Sequence, residues 1–376
     1  MATNSPVQQS SISVPGQPEQ AEVILRQSLW RGTLVSRRYT VASVQQAYML
    51  LDQGSDKLVI KAAHLGERKV AYAPVRKWGG IYSRESALRQ EYRKIQAIRN
   101  LVHDATHLAL DMAPLNGDDR IDNHFSLVVA EARGNLEKEI CTRQPSFATR
   151  LGYCRQYLDG LMNLHRLGMA HGDIKPENCL VYDNGLLKIA DFGKTDTASG
   201  SVGKMYKGNL RFCPPEGVLS IKGDIYGSAL LIIRVLEETD GILDDQGQLL
   251  PIPAKEREPG VSSKGRGVEK YVVEHRQFLA LDSQRLGGKI ARQLPRQIKL
   301  IHLSSQRRTA QQRLMSRYID ALCNKLVGQA HLSAGAAEQL ATLLKEMMAD
   351  NPAKRITAAE ALKRLTTIEQ GVTGQW

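Results

Sequence analysis

An α+β architecture of two lobes is expected, with a small β-rich lobe over residues 23–133 and a larger helical lobe over residues 134–369. Two features carry that expectation. Before Gly134 most apolar residues come in short runs bounded by turn residues, which is how strands read. After Gly134 they recur at helical spacing over longer windows. A chain of 376 residues can form one large domain or two modest ones.

The elements follow in order. Residues 1–22 are rich in Ser, Gln and Pro and almost free of bulky side chains. They cannot bury enough apolar surface to offset ordering entropy, so a disordered leader is expected. No Lys or Arg occurs in the first 25 residues, and there is no apolar core segment. That excludes a Sec signal peptide and argues against a mitochondrial presequence. Thr33 to His64 is β-rich, and Leu58-Val59-Ile60-Lys61 reads as a buried strand after a turn at Gln53-Gly54-Ser55-Asp56. Residues 65–82, with Gly66, Gly79 and Gly80, read as a loop excursion. Ser83 to Asn100 reads as a helix with Leu88, Ile95 and Ile98 on one stripe. His107 to Met112 and Phe125 to Ala130 read as a β pair. Phe147 to Leu167 is an amphipathic helix, and Asp183-Asn184-Gly185 turns a hairpin between Cys179–Tyr182 and Leu186–Ile189. Asp224 to Glu238 is an apolar helix, Ser333 to Leu365 holds two more, and residues 370–376 form a tail.

Composition narrows the class. Hydrophobic content of 42% and charged content of 24% are ordinary for a globular protein. No apolar run approaches the length of about 18 residues that a transmembrane helix needs. The five cysteines are scattered, odd in number and without a CxxC pair, so reduced thiols in a cytosol are expected. Net charge is +12 and unevenly spread, with no acid between Ser283 and Ile319. Bases in that stretch include Arg285, Lys289, Arg292, Arg296, Lys299, Arg307, Arg308, Arg313 and Arg317. A field of one sign attracts an acidic protein face or anionic lipid, although a solvated helical face is the plainer alternative. No aromatic interleaving accompanies the bases, so direct nucleic-acid reading is not expected.

The chemistry lies in one run, His171-Gly172-Asp173-Ile174-Lys175-Pro176-Glu177-Asn178, followed thirteen residues later by Asp191-Phe192-Gly193. An isolated HxD means little, but HxDxKPxN, a hairpin and DFG together are specific. This run resembles the catalytic loop and the metal-binding loop of protein kinases. The resemblance covers roughly Thr33 to Leu365, with interruptions, and implies a two-lobed protein kinase fold. It implies ATP and Mg²⁺ (or Mn²⁺ in its place) and a protein substrate. Asp173 would accept or orient the proton of the acceptor hydroxyl, and Lys175 would reach the γ-phosphate. Asn178 and Asp191 would ligate the metal with hard oxygens. Lys61 would contact the α- and β-phosphates, with Glu91 as its partner. Glu91 shares the stripe of Leu88 and Ile95, whereas Glu85 lies about 240° around the helix. The nucleotide would sit between the lobes, near a hinge at Ala130, Glu131, Ala132 and Arg133. Lys175-Pro176-Glu177-Asn178 favours Ser/Thr over Tyr as acceptor.

Three further matches are structural. Gly208 to Glu216 resembles the segment ending in Ala-Pro-Glu, with Pro214 in place of Ala. Arg355 matches the arginine that pairs with that Glu. Asp224 matches the buried aspartate that holds the catalytic-loop backbone.

Three departures stand beside them. The glycine-rich nucleotide loop is absent, and Tyr39 to Ala47 contains no glycine at all. Backbone approach to phosphate is easiest at glycine, so weaker nucleotide binding is expected. Gly172 replaces the usual Arg, which normally pairs with a phosphorylated activation loop. Activity without phosphorylation of Thr195, Thr197, Ser199 or Ser201 is therefore expected. A basic insert occupies about 243–327, with Gln284 to Leu300 and Arg307 to Leu326 reading as helical.

The expected function is an ATP- and Mg-dependent serine/threonine protein kinase, with autophosphorylation. The degenerate nucleotide loop, His-Gly-Asp and the leader composition also resemble bacterial effector kinases of virulence, delivered into host cells by a type III apparatus. A pseudokinase scaffold and an AMP transferase on the same fold are the alternatives.

Overall fold

The computed structural model describes residues 48–53, 57–62, 65, 67–74, 85–116, 125–197, 204–237, 241–243, 249–251 and 305–372, with four short strand segments before residue 40. The leader, the loop at 40–47, the turn at 54–56, Ser199, Ser201, the helix expected at 284–300 and most of the basic insert lie outside the described residues. The chain divides into two compact units, one of Met1–Leu88 and Met112–Glu131, the other of Arg89–Asp111 and Ala132–Trp376.

The first unit is built on a five-stranded antiparallel sheet. Its strands are β1 (Tyr48–Gln53), β2 (Lys57–Ala62), β3 (Lys69–Pro74), β4 (Met112–Pro114) and β5 (Leu127–Ala130), in the spatial order β1-β2-β3-β5-β4. Register places Ile60 opposite Ala71 and Val70 opposite Val129. Ile60, Leu65, Ala71, Ala73 and Leu115 form its buried cluster. The expected loop at 65–82 is thus corrected in part, because β3 is the central strand. Val70, Ala71, Tyr72 and Ala73 are all buried and lead the chain between two partners. A strand covered on both faces loses the alternation that marks an exposed one. The expected pair at 107–112 and 125–130 also shifts, since its first strand begins at Met112 and pairs with Leu127–Val129.

Helix α1 (Glu85–Leu101) follows β3 and crosses the division between the units. Its Leu88, Ile95 and Ile98 are buried, and Glu91 is buried on the same stripe.

The second unit is mainly helical. Helix α2 (Phe147–Arg166) starts at Ser146, whose hydroxyl accepts from the Thr149 N–H at 3.3 Å. Helix α3 (Ile221–Leu236) is capped by Ser220, and it is buried from Gly223 onward. A helix apolar on every face is a core helix. Helices α4 (Ser305–Gly328), α5 (Ala334–Met347) and α6 (Ala358–Glu369) complete it. Short strands β7 (Met169–Ala170), β8 (Cys179–Val181), β9 (Leu187–Ile189) and β10 (Asp196–Thr197) lie between α2 and α3, and β6 (Gly134–Asn135), before α2, pairs with β8. None of the five cysteines is disulfide-bonded, and burial pushes the Cys323 thiol up to about 12. No helix among the described residues is long and apolar enough to cross a membrane.

A buried ion pair ties distant parts of this unit together. Arg355 is 1% exposed and grips Glu216 with both terminal nitrogens, at 2.7 and 2.8 Å. Its remaining donors reach the Ala349 and Lys222 carbonyls at 2.8 and 2.9 Å, and its guanidinium lies over the Tyr226 ring. The pairing expected from the resemblance therefore forms. Removing one partner of such a pair strands the other. Arg355→Ala is expected to lower unfolding free energy by about 3 kcal/mol or more, read as a fall in the urea midpoint. A midpoint equal to wild type would show that the pair holds nothing.

Candidate active site

The site is built by the stretch between α2 and α3. Helix α2 ends at Arg166, and Gly168, with φ +69, turns the chain into β7. The loop that follows is held by one carboxylate. Asp224, in the first turn of α3, accepts from the His171 N–H at 2.6 Å with Oδ2 and from the Gly172 N–H at 3.0 Å with Oδ1. His165 Nε2 also donates to Oδ2, at 3.1 Å. The His171 ring continues the network. Its Nε2 donates to the Ala190 carbonyl at 3.1 Å, so Nδ1 is free to accept the Asp173 N–H at 3.3 Å. Phe192, fully buried, packs edge-on against this ring with 5.6 Å between centroids.

Asp173 is 2% exposed, and both its oxygens are occupied. Oδ1 accepts from the Asn209 N–H at 2.9 Å. Oδ2 accepts from Lys194 at 2.9 Å, Lys175 at 3.2 Å and the Asn178 amide at 3.2 Å. Burial pushes this carboxyl up, but the charges of Lys175 and Lys194 outweigh it and hold the group below its ordinary value. It is therefore an anion at neutral pH.

Asn178 and Asp191 are brought together by the hairpin. Pro176 opens a 3-10 turn that ends at Asn178, and β8 and β9 pair antiparallel with Cys179 opposite Ile189. The ladder extends one step further, with the Ala190 N–H donating to the Asn178 carbonyl at 2.8 Å. Asp191 comes next, with φ +66, a region that Asp tolerates better than most residues. The Asn178 Nδ2 donates to the Asp173 carbonyl at 2.8 Å, which fixes the amide orientation and aims its oxygen elsewhere. Lys94 of α1 donates to the Gly193 carbonyl at 2.7 Å, and burial lowers its pKa.

Of the residues expected at the site, Asp173, Lys175, Asn178 and Asp191 belong to this one loop system. Lys61, Ala130 and Glu131 belong to the first unit, and Ala132 and Arg133 to the second. In the first unit Lys61 Nζ lies 2.7 Å from Glu131 Oε2, while the Glu131 N–H donates to the Arg68 carbonyl at 2.7 Å. Ala130 ends β5 exposed, and Ala132 follows Glu131. Thr195 is buried and its hydroxyl donates to the His171 carbonyl at 3.3 Å. It serves as a strut, unlike an accessible phosphorylation site. Lys194 and Asn209 were not anticipated as partners of Asp173. Lys194 could have been suspected from its place directly after Gly193, whereas a backbone donor such as Asn209 leaves no mark in a sequence.

The protein kinase domain profile matches residues 90–365 of the 376, well over half the chain. The chain belongs to the protein kinase domain family. Similar proteins carry the same class in their names. A probable serine/threonine-protein kinase, pknA2, of Bifidobacterium longum is 36% identical over 112 residues, which is 27% of this chain and 14% of that protein. CBL-interacting protein kinase 29 of rice (Oryza sativa subsp. japonica) is 32% identical over 144 residues, 37% of this chain and 28% of the relative. Serine/threonine-protein kinase STK11 of Rattus norvegicus is 30% identical over 204 residues, 52% of this chain and 45% of the relative. The chain thus spans less than half the length of these relatives.

Kinase domains use ATP and a divalent metal, generally Mg²⁺. The donors present fit such an ion. One carboxylate and one oriented amide oxygen are hard ligands, too few for a protein cage, and Mg²⁺ typically takes its remaining ligands from phosphate and water. Among the described residues no group of three or more His, Cys, Asp or Glu forms an all-protein metal cage.

Gly172 stands where the family usually carries Arg, and geometry explains the difference. Its φ is +75, and a Cβ there would lie 2.6 Å from Leu219 Cδ1 and 3.1 Å from the Lys194 carbonyl. Gly208 is as constrained, since a Cβ on it would lie 2.5 Å from the Gly172 carbonyl. Restoring the family residue with Gly172→Arg is expected to cost at least about 2 kcal/mol, from a left-handed non-glycine backbone and the clash together. Its melting temperature should fall well below wild type; an unchanged one would show that the loop tolerates a side chain there.

Proposed function

We propose that this kinase domain is catalytically active and transfers the γ-phosphate of ATP to serine or threonine hydroxyls of proteins, itself included. The observation that carries the proposal is the anionic, buried Asp173 with Lys175 and Asn178 gathered on its carboxylate. Phosphoryl transfer asks a protein for positioning and charge neutralisation more than for covalent chemistry. Asp173 orients the acceptor hydroxyl and takes its proton as the oxygen bonds to the γ-phosphorus and ADP departs. Lys175 is proposed to meet the γ-phosphate as a point charge. Asn178 and Asp191 are proposed to hold Mg²⁺, which neutralises charge on the phosphates when bound. Lys61 is proposed to bind the α- and β-phosphates, exchanging Glu131 for Glu91 as its ion-pair partner. Ala130, Glu131 and Ala132 are proposed to line the nucleotide.

An open active state without loop phosphorylation is part of the same proposal. Gly172 offers no cation for a phosphate to pair with, and buried Thr195 already bonds the catalytic loop. An effector acting on host proteins is the finer form of this reading, carried by the composition of residues 1–22 and by His171-Gly172-Asp173. An acidic protein or anionic lipid is proposed at the basic insert.

Intact mass after incubation with ATP and Mg²⁺ tests the proposal. A gain of about 80 Da per site marks phosphate, and about 329 Da would mark AMP transfer instead. Asp173→Ala is expected to slow transfer by about 10²-fold or more, the usual weight of a general base. Asp191→Ala and metal chelation should also abolish it. No mass gain in wild type, with no thermal shift by ATP, would leave a pseudokinase.

A further inference from the structure

Resting on the kinase reading above, we propose that Lys194 is a specificity-determining residue that selects acceptors carrying an acidic side chain next to the reacting hydroxyl. The starting point is the crowding of Asp173. Oδ1 holds the Asn209 N–H, and Oδ2 holds Lys194, Lys175 and the Asn178 amide. A hydroxyl that is to give its proton to this carboxylate must first displace a donor.

Only one donor is free to go. The Asn209 N–H is backbone, and neighbouring Gly208 is wedged so close to the Gly172 carbonyl that a Cβ would sit 2.5 Å from it. The Asn178 amide is anchored by its second bond to the Asp173 carbonyl, at 2.8 Å. Lys175 is assigned to the phosphate and is 22% exposed. Lys194 reaches over from the far end of the hairpin, is 40% exposed, and carries its charge on a flexible four-carbon stem. Displacing it leaves an ammonium that needs a new anion.

Among the described residues no carboxylate is left to supply one. Asp196 is already paired with Lys204, which holds its carboxyl below the ordinary value. Asp191 is assigned to the metal, and Glu91, whose field reaches Lys94, is buried. Between Lys194 and Arg211 the sequence carries Lys194, Lys204, Lys207 and Arg211 against Asp196 alone. The missing anion therefore arrives with the acceptor. A carboxylate flanking the hydroxyl draws Lys194 off Asp173 and frees Oδ2 in the same event, so binding and exposure of the base are coupled. A neutral acceptor has to break the Lys194–Asp173 pair without compensation.

Paired peptides test this with the full chain. Each pair has one Ser acceptor, flanked on both sides by Asp in one member and by Asn in the other. Wild type should show kcat/KM about fivefold higher on the Asp peptide, the effect of one partly screened ion pair. Lys194→Met should bring the ratio to about one, and Lys194→Arg should keep the preference. A merely structural role would slow both peptides alike and leave the ratio unchanged. Equal transfer to both peptides by wild type, or a preference that survives Lys194→Met, would overturn the assignment and leave the kinase reading standing. No Asp173-dependent transfer to either peptide would overturn both.

Discussion

Everything at the candidate site hangs from the carboxylate of Asp224. Two adjacent backbone N–H groups, of His171 and Gly172, and the His165 ring all point at it. It is buried in the first turn of α3, an apolar core helix. Three donors converge on its oxygens beside the helix N-terminus. The bonds set the path of the loop before any catalytic side chain is placed. With the backbone of His171 fixed, its ring reaches Ala190 on one side and the Asp173 N–H on the other. Asp173, Asn178 and Asp191 then follow from loop and hairpin geometry alone.

The same constraint explains the glycine at 172. The loop here takes a left-handed backbone that favours glycine, and a Cβ would push on the Leu219 side chain and the Lys194 carbonyl. Loss of the arginine common in the family thus goes with a different way of closing the activation segment. Lys194, Thr195 and Asn209 fasten that segment to the catalytic loop directly. With them both oxygens of Asp173 are held by the protein itself.

Much of this was legible in the residues. The hairpin at Asp183-Asn184-Gly185, the helix over Phe147 to Leu167 and the pairing of Glu216 with Arg355 follow from turn chemistry, periodicity and a specific motif. Glu91 could be singled out because it shares a stripe with Leu88 and Ile95. What escaped did so for physical reasons. Strand β3 is buried on both faces, and glycines on either side of it imitate a loop. The donors that crowd Asp173 come from Lys194 and from a backbone amide at Asn209, contacts made by folding and invisible to spacing. Thr195 looks like any loop threonine until its burial is known.

The central claim is that Asp224 places the catalytic base. It is tested most directly by the rate of phosphate transfer from ATP in an Asp224→Asn variant, with thermal unfolding measured in parallel. Asn keeps the volume but presents one acceptor oxygen in place of two charged ones. A folded variant that transfers phosphate slower by about 10²-fold, the effect of a small misplacement of reacting groups, is the expected result. Transfer at the wild-type rate would contradict the claim, because the loop would then hold its catalytic geometry without that carboxylate.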